Sequence, residues 1–295
     1  MEIDGRIVKG IAGFYYVYTD ELGIVECHAK GLFRKEKKKP LVGDYVSVSI
    51  LDEEKKEGSL IAINERHNYL IRPEVANVDR ALIVFAAASP EPNWMLLDKF
   101  LVMMQKYDIE TIICFNKNDL VSAERIQEIE SNYAKSGAKV IATCAKSGEG
   151  IDSIKQHLTG RTTVLAGPSG VGKSSIINQI CPMARMETGH ISTKTKRGKH
   201  TTRHSELFYV GENTFIMDTP GFTAFELTEN IDKDELKDYY PEFYKYEGAC
   251  RYEPCSHTHE PSCSVKAAVG EGIISKLRYG NYCQLYEEIK NRRLY

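Results

Sequence analysis

The alternation of apolar and polar positions changes rhythm twice along this chain. Up to about residue 70 the apolar residues fall in five short runs, "GRIVKGI", "GFYYVYT", "GIVECHA", "DYVSVSI" and "GSLIAIN", each bounded by turn-forming residues. Five short strands within roughly 65 residues predict a small β-barrel. The pattern fits an OB-type barrel and does not by itself separate it from an SH3-like one. From about residue 78 the apolar runs become continuous and alternate with helical stretches. They read "ALIVFAAA", "NWMLLDKFLVMMQKY", "TIICFNK", "AERIQEIESNYAKSG", "AKVIATCA", a short helix from Ile151, "TTVLAGPSG" and a helix from Lys173. Strands apolar on both faces, joined by crossover helices, predict a mostly parallel sheet. After "SELFYV" and "TFIMDTPG" the chain turns polar and tyrosine-rich, with a cysteine cluster, from about residue 230. The pattern is that of a multidomain α/β protein, with a barrel over 1–70, an α/β domain over 71–228 and a small tail domain over 229–295.

A length of 295 residues fits two domains, or three if some are small. The composition, 42% hydrophobic and 27% charged, is that of a globular chain with a core to bury. No apolar run approaches the roughly 18 residues that a spanning helix needs. The start, "MEIDGRIVKG", lacks the basic-then-apolar layout of a signal peptide, so the expected location is the cytoplasm. The 8 cysteines then read as thiols or metal ligands rather than disulfides. A net charge of -2 excludes overall basicity as the means of holding nucleic acid and leaves local patches. "RKEKKK" (Arg34 to Lys39) is one; it fits a solvated hairpin tip as well as RNA contact. "KTKRGKHTTRH" (Lys194 to His204) is the other, with five Lys/Arg, two His and no acid.

Candidate chemistry starts at Gly167, Pro168, Ser169, Gly170, Val171, Gly172, Lys173 and Ser174, which satisfy G-x-x-x-x-G-K-[ST] between an apolar strand and a helix. In that context successive backbone N–H groups and the helix N-terminus make a positive concavity for phosphates. Glycines allow the close approach that a Cβ blocks. Lys173 is expected to reach the β- and γ-phosphate oxygens and Ser174 to ligate Mg2+, with Ser175 completing the segment.

Phosphate binding does not name the base. "NKND" (Asn116, Lys117, Asn118, Asp119) closes an apolar run upstream. The Asp119 carboxylate can accept from both N1–H and the exocyclic amine of guanine, a pair that adenine lacks. Asn116 is expected to tie this loop to the phosphate loop, and the Lys117 stem to cover the base plane. "TCAKSGEGI" resembles the S-A-K loop whose alanine amide contacts guanine O6, with Cys144 in the usual serine place, then Ala145 and Lys146. Both loops follow apolar strands, where open α/β sheets bind their ligands. Downstream, "DTPG" has the form D-x-x-G, with Asp218 as indirect Mg2+ ligand and the Gly221 amide toward the γ-phosphate. Between them, "GKHTTRH" holds the switch-I threonine. Thr201 is the expected Mg2+ ligand, and Thr202 qualifies on the same grounds.

Read cyclically, the five motifs occur in the order of a Ras-like domain; read linearly, the base-reading motifs come first. A circular permutation explains this, with the chain reopened just after D-x-x-G, and exposed loops tolerate such breaks. The chain after Phe222 then passes into the tail, so a change of nucleotide is expected to pull on it. With these motifs in this order the chain resembles the ribosome small subunit-dependent GTPase A family (RsgA, also called YjeQ or YloQ), over all three pieces. The resemblance implies a GTPase converting GTP to GDP and phosphate, with the 30S subunit and its 16S rRNA as partners. It also implies a late role in 30S maturation, stimulation by that subunit, and a zinc-binding tail.

"CRYEPCSHTHEPSC" supplies that tail with Cys250, Cys255, His257 and Cys263. Three thiolates and one imidazole suit a closed tetrahedral structural site for one Zn2+, and the spacing matches the family's pattern. His259 is the competing ligand. A tail this small buries little core, so zinc is expected to supply much of its folding energy. Its tyrosines read as packing around the metal, with base stacking on RNA open. Cys27, Cys114, Cys144, Cys181 and Cys283 read as ordinary thiols.

Ras-like enzymes orient the attacking water with a glutamine directly after D-x-x-G; here that position is Phe222. His200, next to Thr201, is the candidate to position water, with Lys173 as the other catalytic residue. Contact with RNA phosphates is the second reading of His200, and His204 is expected to face away. Two other classes compete, a P-loop small-molecule kinase and an RNA-binding module with an inert nucleotide site. "NKND" with "CAK" argues against the first, and intact Lys173, Ser174 and Asp218 against the second. Nothing calls for a membrane or an oligomer, so a monomer is expected.

Overall fold

The computed structural model describes residues 1–29, 33, 39–71, 74–182, 206–218 and 231–292. Strands β1 (Glu2–Ile11), β2 (Phe14–Thr19), β3 (Gly23–Ala29), β4 (Tyr45–Asp52) and β5 (Glu57–Ile63) come first. They pair in the ring β1-β2-β3-β5-β4, and β4 returns to β1. All of these pairings are antiparallel except β3 with β5. The ring is a closed five-stranded OB-type barrel, which decides between the two barrels that the strand pattern allowed. Val17, Val25, Val46, Val48 and Leu60 fill it. A two-strand hairpin, β6 (Tyr69–Leu70) and β7 (Val75–Ala76), follows.

Next come β8 (Arg80–Ala86), α1 (Trp94–Lys106), β9 (Glu110–Asn116), α2 (Ala123–Tyr133), β10 (Lys139–Ala142), α3 (Ile151–Leu158), β11 (Thr162–Ala166), α4 (Lys173–Ile180), β12 (Glu206–Gly211) and β13 (Thr214–Asp218). The sheet order is β10-β9-β8-β11-β13-β12, parallel except for the β12·β13 pair. Every residue of β8 is buried, as its unbroken apolar run requires. Period-two alternation sends Ala81, Ile83 and Phe85 to the face holding Leu97 and Phe100 of α1. Leu82, Val84 and Ala86 go to the opposite face, with Ile154 of α3 and Ile176 of α4.

The barrel continues this sheet. β1 pairs antiparallel with β12 at Lys9 and Glu206, whose side chains meet at 2.8 Å. The Arg6 guanidinium, 3% exposed, donates to Gly43 O, Asn77 O and Thr162 Oγ1, the last on β11. Three acceptors offset the cost of burying that charge.

The tail carries 3-10 turns at Leu236–Tyr239 and Pro241–Tyr246, then α5 (Ser264–Gly270) and α6 (Lys276–Lys290). Tyr240, Phe243 and Tyr282 are fully buried and join one core with residues of α1 and α2. The small core expected of the tail is therefore a shared one, and metal is not its only support. The tail is docked on α1 and α2, and residues 219–230, which join it to β13, lie outside the described residues. Among the described residues no helix is long and apolar enough to cross a membrane.

Candidate functional site

The loop between β11 and α4 turns on three glycines with positive φ, Gly167 (137°), Gly170 (80°) and Gly172 (96°). At Gly167 an added Cβ would lie 2.0 Å from Val84 O, so only glycine lets the loop rest on β8. Lys173 opens α4, and its Nζ donates to Gly167 O at 2.7 Å and Pro168 O at 2.8 Å. Ser169 and Gly170 are exposed, Pro168, Ser174 and Ser175 are half-buried, and Val171 is buried.

Asn116, at the end of β9, binds three segments together. It is 2% exposed; its Nδ2 donates to Val171 O at 2.8 Å, and its Oδ1 accepts from Ala145 N at 2.9 Å. An added Cβ at Gly172 would sit 2.3 Å from that Nδ2. Lys117 has a left-handed φ of 61° and reaches both Gly170 O, at 2.8 Å, and Ser89 O. Asn118 Nδ2 donates to Glu149 Oε1 at 3.1 Å. Asp119 is exposed, with Cys144 Sγ 3.4 Å from its Oδ1. Thus "NKND", "CAK" and the phosphate loop, apart in sequence, meet at the C-terminal edge of β9, β10 and β11. The Ala145 amide, expected to face a base oxygen, donates here to Asn116. Lys146 is exposed at the rim.

Asp218 ends β13 with its backbone in register with Leu165, two residues before Gly167. Gly221, Phe222, His200, Thr201, Thr202 and His204 lie outside the described residues, as does Arg34 to Lys38 of the first basic run.

A second cluster forms in the tail. One ligand atom each from Cys250, Cys255, His257 and Cys263 lies within 4.8 Å of the others. His257 Nδ1 is 3.6 Å from Cys250 Sγ and 3.4 Å from Cys263 Sγ, and the two sulfurs are 3.8 Å apart. A tetrahedron with metal–sulfur bonds of about 2.3 Å has sulfur–sulfur edges of about 3.8 Å, so the donor set fits a metal ion. Burial, with Lys237 nearby, lowers the His257 pKa and keeps the imidazole neutral, the form that ligates. His259 points elsewhere, to Glu287 Oε1 at 3.2 Å. Tyr279 and Tyr282 donate their hydroxyls to His257 O and Ser256 O, so these tyrosines pack the loop. Of the remaining cysteines, Cys27 and Cys114 have thiols pushed up to about 12 by burial, which leaves them inert.

The family model described as RsgA GTPase matches residues 63–228, and that of the RsgA N-terminal domain matches residues 4–60. The chain belongs to the RsgA GTPase family. Its RsgA relatives include the small ribosomal subunit biogenesis GTPase RsgA of Agathobacter rectalis, 54% identical over 99% of both chains. The protein of the same description from Caldanaerobacter subterraneus is 47% identical over 98% of this chain and 97% of its own. Among solved structures, YjeQ from Thermotoga maritima superposes with a TM-score of 0.84 at 34% identity, covering 99% of this chain and 100% of that one. YloQ, described as a circularly permuted GTPase, gives 0.82 at 37% identity, covering 100% and 97%. The fold of this RsgA chain is thus the permuted one, with β9 and its loop ahead of β11 in sequence and separated from it in the sheet only by β8.

Sequence reasoning missed the supports of the RsgA site. Gln179 Nε2 on α4 donates to Ala145 O at 3.1 Å, Glu149 holds Asn118, and Ser89 O receives Lys117. Gln179 carries no motif, Glu149 lies in "TCAKSGEGI" but outside the residues matched there, and Ser89 acts through its backbone.

Proposed function

We propose that this chain hydrolyses GTP and acts in biogenesis of the small ribosomal subunit, as its RsgA relatives are named for doing. One observation carries the reading of the site: Asn116 bonds the phosphate loop and the "CAK" loop at once, which makes a single pocket of base-reading and phosphate-reading elements. Asp119 accepts from guanine N1–H and the amine, Lys117 lies along the base, and Ala145 and Lys146 with Cys144 close the base side. Gly167 to Ser175 cradle the phosphates with the backbone N–H groups of all but Pro168, and Lys173 exchanges loop carbonyls for phosphate oxygens. Ser174, Asp218 and Thr201 or Thr202 would hold Mg2+, which neutralises charge on the transferred phosphoryl group when bound. His200 orients water, in place of the glutamine whose position Phe222 holds.

Segments 1–70, 71–228 and 229–295 act as barrel, permuted GTPase and metal-binding domains. Cys250, Cys255, His257 and Cys263 hold one structural Zn2+, and 16S rRNA is the contact on the 30S subunit. The protein works as a cytoplasmic monomer. Turnover of GTP against ATP by the purified chain tests the activity: GTP is consumed and ATP is not. Equal turnover of both points to a kinase-like P-loop protein, and turnover of neither points to a binding module.

A further inference from the structure

Helix α6 grips two things at once. Tyr279 and Tyr282 hold carbonyls of the Cys/His loop, while Arg278 and Asn281 reach α1. Arg278 Nη1 donates to Asp98 Oδ1 at 2.5 Å, and Asn281 Nδ2 donates to Asp98 Oδ2 at 2.6 Å. The guanidinium's other edge donates to Glu242 Oε1 at 2.8 Å and Oε2 at 3.0 Å. Arg278 is 1% exposed, Asp98 0% and Glu242 8%. One cation between two buried carboxylates is tolerated only in good geometry with every charge bonded. The network therefore fixes α1 against α6.

Helix α1 is itself built into the base-reading half. It begins after Asn93, just beyond Ser89, whose carbonyl receives Lys117 Nζ. It ends in a turn, closed by Ile109 N to Met104 O at 2.9 Å, that leads directly into β9 and Asn116. Further ties join the tail to the same half: Lys99 to Glu288 at 2.6 Å, Ser275 to Asn132 at 2.7 Å, and Lys135 to Ile273 O at 2.8 Å. The phosphate-loop strand β11 is held from the other side, by Arg6 of the barrel.

We propose that Arg278 is a positioning residue for the guanine-reading loop, acting through Asp98 and α1, so that docking of the tail sets base selectivity. This rests on the nucleotide reading given above. Arg278→Lys keeps a cation between the carboxylates but loses the fork that holds both. Affinities of the full chain for GDP, inosine diphosphate and ADP, with metal content measured alongside, provide the test. Inosine lacks the amine that Asp119 accepts, so the GDP-to-inosine ratio reports the seating of that carboxylate and does not follow global stability.

The variant is expected to retain its metal, to bind GDP about 5- to 30-fold more weakly, a coupling of ordinary size, and to lose at least about threefold in that ratio. Val46→Ala in the barrel core, destabilising but remote, leaves the ratio unchanged. A wild-type ratio in Arg278→Lys overturns the proposal. If that variant does not fold, Asn281→Ala carries the same expectation in smaller amount, and a wild-type ratio there overturns it equally. Equal binding of GDP and ADP by the unaltered chain would instead overturn the nucleotide reading.

Discussion

Asn116→Ala removes a buried amide that bonds two loops, and its cost can be worked from the contacts. Val171 O and Ala145 N lose partners at 2.8 and 2.9 Å, and both residues are buried, at 1% and 6% exposure. Each buried backbone group left unpaired costs about 1–3 kcal/mol, so the pair costs about 2–6 kcal/mol. Part of that falls on the fold and part on the nucleotide, because a nucleotide must find the base and phosphate loops already in register. If half of a mid-range ~4 kcal/mol falls on binding, GDP affinity drops by about 25-fold, at ~1.4 kcal/mol per tenfold. Equilibrium titration with a fluorescent GDP analogue measures that share, and urea unfolding measures the remainder. GDP affinity within twofold of wild type, with stability reduced by the full amount, would refute the claim that Asn116 joins the two readers.

Other changes separate the parts of the site. Asp119→Asn should weaken GTP by about 2–4 kcal/mol and shift preference toward xanthosine triphosphate, since a charged hydrogen-bond pair is lost; unchanged GTP affinity in a titration counts against the base assignment. Gly172→Ala should impair GDP binding at least as much as Asn116→Ala, because its Cβ would strike the Asn116 amide at 2.3 Å; a variant with normal affinity shows that the loop can yield there. Cys255→Ser should lower zinc content and loosen the tail, and full metal content with an unchanged circular dichroism spectrum would contradict the ligand set. His200→Ala should lower subunit-stimulated turnover by about 10²-fold while binding persists, as for a positioned acid–base group; turnover restored at saturating subunits would assign His200 to RNA contact.

Much of the α/β half was legible in the sequence because its strands are buried on both faces, as in "ALIVFAA", and carry motifs at their ends. The "NKND" motif already tied Asn116 to the phosphate loop, and the structure makes that tie as a bond from Nδ2 to Val171 O. Three things were not legible. The choice between the two barrels depends on how the strands pair, β3 with β5 and β4 back to β1, long-range pairings that strand periodicity does not encode. Among the described residues the seam between β1 and β12 is registered at Lys9 with Glu206, a pair that strand periodicity does not encode either. Docking of the tail depends on Asp98 and Arg278, 180 positions apart. A lone acid in the apolar stretch "WMLLDKFLVMM" was the available signal for it, and its partner had none. Gln179 and Ser89 stayed hidden for a simpler reason, because neither residue type is tied to the contact it makes.

GTP turnover with purified 30S subunits, set against the same concentration of 50S subunits, decides whether this chain is a GTP hydrolase that answers to the small ribosomal subunit. Turnover should rise with 30S alone, and Lys173→Ala should abolish the rise. Equal rates with 30S, with 50S and with neither would show that the subunit does not act on this site.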